Sequence, residues 1–387
     1  MNYSEPLQTV MEAYSSIKEN TIEGRYLHLG HIAPLLKKHT ENFRIEEIGR
    51  SVLDQPIHYV EIGAGSIKIL AWSQMHGNES TTTKAVFDLL NAANLLQNVP
   101  EMKVILETCR IRIIPMLNPD GAKAYTRVNA NEIDLNRDAK KLKEPESNVL
   151  RKEFDEFQPD FCLNLHDQRT IFSAGKVAEP ATLSFLTPSM DAERSVFPER
   201  EKSMQVIVSI YKHLQSVLPG RIGRYDDAYN INCTGDAFQT LGVPTLLFEA
   251  GHAPNDYKRD KVREYVFAAL FSALYSIASG RYLENKSSIY DQIPQNEKLF
   301  NDIILRNALI NNQKLDVSIQ YKEELENETL KFVPIIEKIA PDIPNFAHWE
   351  IELKDQKIEF PELNNLHENV IVNKIVLNGD IWTLKRE

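Results

Sequence analysis

Segments that read as strands alternate with segments that read as long helices through most of the chain, and this alternation restricts the fold more than any other feature. The run KILAWSQMH, from Lys68 to His76, is a nearly continuous apolar strand. The segment after it, STTTKAVFDLLNAANLL, opens on a Ser/Thr cluster suited to an N-cap and continues with apolar residues at helical spacing. The pattern recurs: RIRIIPML (Arg110 to Leu117), EPESNVLRKEFDEF, DFCLNLH (Asp160 to His166), PEREKSMQVIVSIYKHLQSV, PTLLFEA (Pro244 to Ala250) and a helix from Lys258 to Ser279. Strands joined through helices need cover on both faces, so the expected fold is α/β, a mixed, mostly parallel sheet with helices on both sides. Ahead of it, FRIEEIGRSV from Phe43 and PIHYVEIGAG from Pro56 alternate apolar and polar residues across a turn at Asp54, as an antiparallel hairpin does.

From about Leu315 the periodicity changes. The segments DVSIQYK, TLKFVPII, HWEIELKD and NVIVNKIVLNGDIWTLK are short, alternating and β-branched. They predict a small β-rich C-terminal domain over 313–387, joined to a larger domain over 1–285 by a helical linker over 286–312 that contains NEKLFNDIILRNALI.

Composition removes whole classes of function. With 42% hydrophobic and 26% charged residues, the chain of 387 residues is an ordinary globular one and neither disordered, collagen-like nor a disulfide scaffold. Its 44 basic and 55 acidic residues leave a net charge of -11, which repels phosphate backbones and anionic lipid, and no basic patch offsets it. Neither nucleic acid nor a membrane is expected as a partner. The apolar run Val266 to Ala278 follows Lys258, Arg259, Lys261 and Arg263 and is shorter than the ~20 residues of a membrane span, so it reads as a buried helix. MNYSEPLQTVMEAYSSIKEN carries acids and no apolar core of a secretory signal, so a cytoplasmic location is expected. Cys109, Cys162 and Cys233 are odd in number and lack a CxxC pattern, which suits a reducing compartment.

Open α/β sheets bind ligands outside the carboxyl ends of their strands. Three such ends carry reactive residues: HGNE at His76 to Glu79, NLHD at His166, and LLFEAGH at Glu249. Two His and one Glu are natural zinc ligands that leave a fourth tetrahedral position open, as in catalytic sites. His76 and Glu79, at i and i+3 in a turn, can chelate one ion together, and His166 would supply the third ligand from another strand. HxxE alone occurs by chance in a chain of this size, and a lone strand-end His is more often a hydrogen-bonded fold residue than a ligand.

The stretch from Asn118, NPDGAKAYTRVNANEIDLNRDA, adds company to these residues. HxxE, NPDG, an Arg shortly before a D-x-N-R element, a strand ending in His and a strand ending in Glu stand in the order found in the M14 (carboxypeptidase A-like) zinc carboxypeptidases. The five elements span Ser73 to about Gly251, and the chain resembles that family over roughly its first 285 residues and not in the tail. The resemblance implies a zinc carboxypeptidase-like catalytic domain that binds one catalytic Zn2+ through His76, Glu79 and His166, with Glu249 as general base and Arg127 stabilising the oxyanion. It also implies that Asn136 and Arg137 grip the terminal carboxylate of a peptide substrate and that Asp134 holds His76 in place. Residue chemistry agrees: a carboxylate can take the proton of a zinc-acidified water, and two permanently charged arginines can serve two separate anions.

Other positions follow less directly. A tyrosine about twenty residues before the catalytic Glu closes over the substrate in this family, and Tyr229 is taken for it ahead of Tyr225. In TGDAF, Gly235 offers no side chain to a specificity pocket, while Asp236 either selects a basic residue or shapes the fold. His252 reads as packing at its loop, and Asp167 either supports the neighbouring ligand or caps a turn. His28, His31, Trp349 and Trp382 read as fold residues. The rival activity is that of an N-acyl amino acid deacylase resembling succinylglutamate desuccinylases and aspartoacylases, which share the metal and base and end in a small β-rich domain. A non-catalytic zinc or peptide-binding module would be expected to lack a ligand or the base, and this chain lacks neither.

Overall fold

A computed structural model describes residue 3, residues 5–363 and residues 365–386 of the chain. Residues 1, 2 and 4 of the stretch read above for a signal lie outside the described residues, as do 364 and 387 of the expected β-rich domain. Two compact units divide the chain: the first runs to Gln168 and resumes over Ala181–Asn296, and the second comprises Arg169–Pro180 and the chain from Glu297 onward.

In the first unit, α1 (Gln8–Glu12), α2 (Tyr14–Ile17) and α3 (Leu29–His39) precede the hairpin of β1 (Arg44–Arg50) and β2 (Pro56–Ile62). Next come β3 (Ile67–Ser73), α4 (Thr81–Leu95), α5 (Pro100–Thr108), β4 (Cys109–Ile114), α6 (Pro119–Ala124), α7 (Pro145–Phe157) and β5 (Phe161–Asp167). The short β6 (Ser173–Ala174) belongs to the second unit, after which β7 (Leu183–Leu186), α8 (Pro198–Leu214), β8 (Ile222–Arg224), α9 (Thr234–Thr240), β9 (Thr245–Ala250) and α10 (Asp260–Ser279) complete the first. The sheet runs β1-β2-β4-β3-β5-β9-β7-β8. Its centre is parallel, from β4 through β3 and β5 to β9, and antiparallel pairings attach β2 to β4 and β7 to β9.

Strand alternation divides the core into two layers, because successive side chains leave a strand on opposite faces. On β3, Ile69 and Ala71 join a cluster with Phe87 of α4, Ile105 of α5, Ile207 of α8 and Phe267 of α10. Leu70 and Trp72 point the other way, into a cluster with Phe154 and Phe157 of α7 and Phe238 of α9. There the Trp72 and Phe154 rings lie 5.3 and 4.1 Å from that of Phe238. Helices on both faces follow from that alternation. As the sequence led us to expect, α10 is largely buried, and among the described residues no helix is long and apolar enough to cross a membrane.

The second unit contains β11 (Phe300–Ile310), β12 (Gln313–Glu326), β13 (Thr329–Ala340) and β14 (Phe346–Glu352), in the order β13-β12-β11-β14, after the short β10 (Asn296–Glu297) at the junction. A separate three-stranded sheet joins β15 (Ile358–Glu359), β16 (Lys374–Leu377) and β17 (Asp380–Thr383). The helical linker over 286–312 is corrected: a short 3-10 segment over Ser287–Gln292 precedes strand β11. Residues Phe300 to Leu305 are all buried, and a continuous run of buried residues has neither the period of two nor that of 3.6 that separates strand from helix. The β-rich unit also takes in Arg169–Pro180. Gln320 donates to the Thr170 hydroxyl at 2.8 Å, His348 Nε2 lies 2.8 Å from the Thr170 carbonyl, and Phe300 N–H reaches Ile171 at 3.0 Å.

Candidate metal centre and active site

The loop from β3 to α4 carries His76 and Glu79, and its course is set by residues on either side. The strand ends at Ser73 rather than His76, because Gln74 adopts a φ of 49° and turns the chain. The Gln74 amide donates to the carbonyls of Leu27 and Gly77, at 2.7 and 2.8 Å. Gly77 then passes so close to the NPDG segment that a Cβ on it would stand 1.9 Å from the Gly121 carbonyl carbon. Asn118 caps α6 by accepting the Gly121 N–H at 2.8 Å and donates to the Met75 carbonyl at 3.2 Å. NPDG is therefore the seat of the HxxE loop. The motif's place in the family order identified it; nothing in its spacing told what it touches.

Three side chains converge at this loop. His76 Nδ1 lies 2.9 Å from Glu79 Oε1, His166 Nδ1 lies 2.8 Å from Glu79 Oε2, and the two Nδ1 atoms are 3.1 Å apart. All three residues are nearly out of solvent. Asp134 accepts from His76 Nε2 at 3.0 Å, which places that ring's proton on Nε2 and leaves an Nδ1 lone pair facing the other two groups. Electrostatics follow the packing. Burial works against protonation of His76, but Glu79 and Asp134 hold its pKa above the ordinary imidazole value, whereas burial lowers that of His166. Burial opposes ionisation of Glu79 and Asp134 as well, yet Glu79 is held well below the usual carboxylate range by His76 and His166, and Asp134 is lowered chiefly by His76.

This donor set fits a zinc ion. The three ligand atoms lie within 4.8 Å of one another, and the 2.8–3.1 Å separations approach the ~3.3 Å between ligands of a tetrahedral site with ~2.0 Å bonds. Lone pairs directed at one another at such distances repel unless a cation or proton stands between them.

The charged residues around the cluster come from the stretch after NPDG. Arg127 donates through Nε to Asp134 at 3.1 Å and through Nη1 to Glu79 at 3.3 Å, with its side chain 47% exposed and so able to turn toward a ligand. Asp134 caps a 3-10 turn over Leu135–Arg137 by accepting the Asn136 N–H at 2.9 Å. Asn136 Oδ1 accepts the N–H of Thr234, the first residue of α9, at 2.9 Å. Arg137 reaches the Asn136 carbonyl at 2.7 Å and Cys233 Sγ at 3.2 Å, on the exposed side. Across the cluster, Glu249 of β9 is the register partner of His166 on β5. Its Oε2 is buried with no hydrogen-bond partner among the described residues, and burial, with Glu79 and Asp167, raises its pKa well above the usual range.

A model of the zinc carboxypeptidase family matches residues 30–343, which include His76, Glu79, Arg127, Asp134, Asn136, Arg137, His166 and Glu249. The chain belongs to the zinc carboxypeptidase family. Carboxypeptidase 2 of Trichophyton rubrum is 28% identical over 246 residues, 60% of this chain and 42% of that protein. Carboxypeptidase SOL1 of Arabidopsis thaliana is 33% identical over 102 residues, 24% of this chain and 21% of that protein, so the match spans less than half of these relatives. A metallo-carboxypeptidase from Burkholderia cenocepacia shares the fold with a TM-score of 0.52 and 16% identity, over 66% of this chain and 70% of that one. Carboxypeptidase A from Helicoverpa armigera does so at 0.54 and 15%, over 72% and 82%.

Within this zinc carboxypeptidase framework the two candidate tyrosines have different surroundings. The hydroxyl of Tyr229 lies 3.4 Å from Thr240 Oγ1, at the end of α9. Tyr225, directly after β8, is the phenol that feels Glu249 and Glu79, and burial followed by those two carboxylates raises its pKa. His252 packs its ring 4.7 Å from that of Tyr257, as expected of a loop residue. Asp236 is buried on α9, accepts the Asn230 N–H at 3.4 Å and has its pKa pushed by burial up to about 6.

Proposed function

We propose that the protein is a zinc-dependent carboxypeptidase that hydrolyses the C-terminal amide bond of peptides. The observation that carries this reading is the convergence of His76, Glu79 and His166 beside Glu249, on a loop and strands that the arginine-bearing segment also reaches. A zinc ion held by those three ligands would supply Lewis acidity, lowering the pKa of a coordinated water from ~15.7 towards ~7. The chain's own residues do the rest. Arg137, with the Asn136 amide, binds the terminal carboxylate through its planar fork and sets which bond lies at the reaction centre. Arg127 turns from Asp134 and Glu79 to the developing oxyanion, where a fixed positive charge is worth most. Glu249, half-buried with its Oε2 out of solvent and without a hydrogen-bond partner among the described residues, takes the proton of the attacking water and returns it to the leaving amine. Tyr225, whose pKa is raised by burial and then by the Glu249 and Glu79 carboxylates, is the phenol assigned here to bear on the substrate.

A second reading, an N-acyl amino acid deacylase, is favoured by one observation: a separate β-rich unit exists and incorporates the segment immediately following the His166 strand. Metal and base are the same in both readings, and the substrate differs. Incubation with a mixture of free-acid peptides and N-succinyl and N-acetyl amino acids, followed by mass spectrometry, tests them. Stepwise release of single C-terminal residues, absent in Glu249→Gln, is the outcome expected; cleavage of the acyl amino acids alone selects the deacylase.

A further inference from the structure

The strands that carry His166 and Glu249 end side by side, and one side chain holds both chain ends. Arg259 donates through Nη1 to the carbonyl of Ala250, the residue after Glu249, at 2.7 Å. Through Nη2 it donates to the carbonyl of Gln168, two residues after His166. Its Nη1 also lies 3.4 Å from Asp167 Oδ2, with the two side chains 1% and 2% exposed. Asp167 extends the contact to the third element of the site. Its Oδ2 accepts the N–H of Thr81, the first residue of α4, at 3.0 Å, and its own N–H donates to Glu79 Oε2 at 3.1 Å. Arg259 is itself fixed, since its φ of 57° and its N–H bond to the Asp256 carbonyl at 3.0 Å put it in a turn. Asp256 in turn caps α10, accepting the N–H groups of Asp260, Lys261 and Val262, each at 2.9 Å.

We propose that the Arg259–Asp167 pair is a buried brace that fixes the spacing of Glu249 from the His76, Glu79 and His166 cluster, which makes both of them positioning residues for hydrolysis. The proposal rests on the hydrolase reading above. Two considerations carry it. A buried ion pair contributes little net stability compared with an apolar pair of the same volume, so burying these charges is better explained by geometry than by folding energy. The guanidinium also spans two strand ends in a way only a planar fork can, and displacement of a catalytic group by ~1 Å costs on the order of 10² in rate. In the sequence, Arg259 is one of four basic residues ahead of an apolar helix, and only the fold brings it to Asp167.

Arg259→Lys keeps the charge and loses the fork, and Arg259→Gln combined with Asp167→Asn removes both charges without leaving one orphaned. In each, zinc affinity measured by chelator competition should fall ~10–100-fold, the usual cost of disturbing groups that orient metal ligands. In each, kcat should fall ~10–100-fold while KM changes less than ~3-fold, because transition-state alignment is lost and substrate binding is not. The double variant guards against misfolding, since its thermal midpoint should exceed that of Arg259→Gln alone while its kcat stays low. Wild-type zinc affinity and kcat in either variant would overturn the brace. Absence of any hydrolysis by the wild-type protein would instead overturn the hydrolase reading, and the chelator competition would still decide whether the pair orders the metal ligands.

Discussion

Glu249 stands beside His166 in the parallel register of β9 on β5. Neighbouring strands lie ~4.8 Å apart, so the distance between the proposed base and a proposed metal ligand is set by a hydrogen-bonded ladder at the centre of the sheet. Glu249→Gln keeps the shape of the side chain and removes its proton acceptor. Zinc affinity by chelator competition should therefore stay at the wild-type level while turnover falls by at least ~10²-fold. Turnover close to wild type would remove Glu249 from the mechanism.

Asp134 should matter through His76. Its carboxylate accepts the hydrogen bond of His76 Nε2 and, with its other oxygen, that of Arg127 Nε. In Asp134→Asn the amide can present N–H to the same ring nitrogen, and the tautomer that frees Nδ1 is no longer enforced. Zinc should then bind ~10–100-fold more weakly. Unchanged affinity would show that the ring is oriented by packing alone.

Much of this arrangement was legible beforehand. The strand and helix alternation predicted the α/β sheet, because each β3 neighbour is a parallel strand reached through helices and both faces are covered. His76, Glu79, His166, Arg127 and Asp134 could be assembled only through their order along the chain, which the family resemblance interpreted; spacing alone carries no information on which strand ends are adjacent. The missed features have physical causes. β11 is buried along Phe300 to Leu305 and lost its period, and Arg259 meets Asp167 across 92 residues of chain.

Asp236 should give the protein a measurable pH dependence. Its folded-state pKa is raised from 3.8 to about 6 by burial, so the native state binds the proton more tightly than the unfolded chain does. The stability it contributes is complete below pH ~4 and is lost as pH rises through ~6, up to on the order of 2–3 kcal/mol. Asp236→Asn should consequently be more stable than wild type at pH 7 in urea unfolding, and the advantage should vanish at pH 4. A constant difference across that range would contradict the assignment.

Asp88 and Arg263 form an ion pair with both side chains 0% exposed, and Asp88 also accepts the Tyr14 hydroxyl at 3.0 Å and the Glu19 N–H at 2.8 Å. This network ties the N-terminal helices to α4 and α10. Asp88→Ala leaves the guanidinium buried without its carboxylate, which should cost ~3–5 kcal/mol in urea unfolding at pH 7. A loss under ~1 kcal/mol would mean that water or a rearranged partner replaces the carboxylate.

The central claim is that a free carboxylate next to the scissile bond is held by Arg137 with Asn136 while Glu249 moves the proton. It is tested most directly by comparing kcat/KM for one peptide substrate as its free acid and as its C-terminal amide. The amide leaves the guanidinium without its anion, and an interaction of two charged, hydrogen-bonded groups is worth ~1.5–3 kcal/mol or more when removal strands one of them. The account expects cleavage of the acid with release of the terminal residue and at least a ~10–100-fold loss for the amide. Equal cleavage of acid and amide would contradict it.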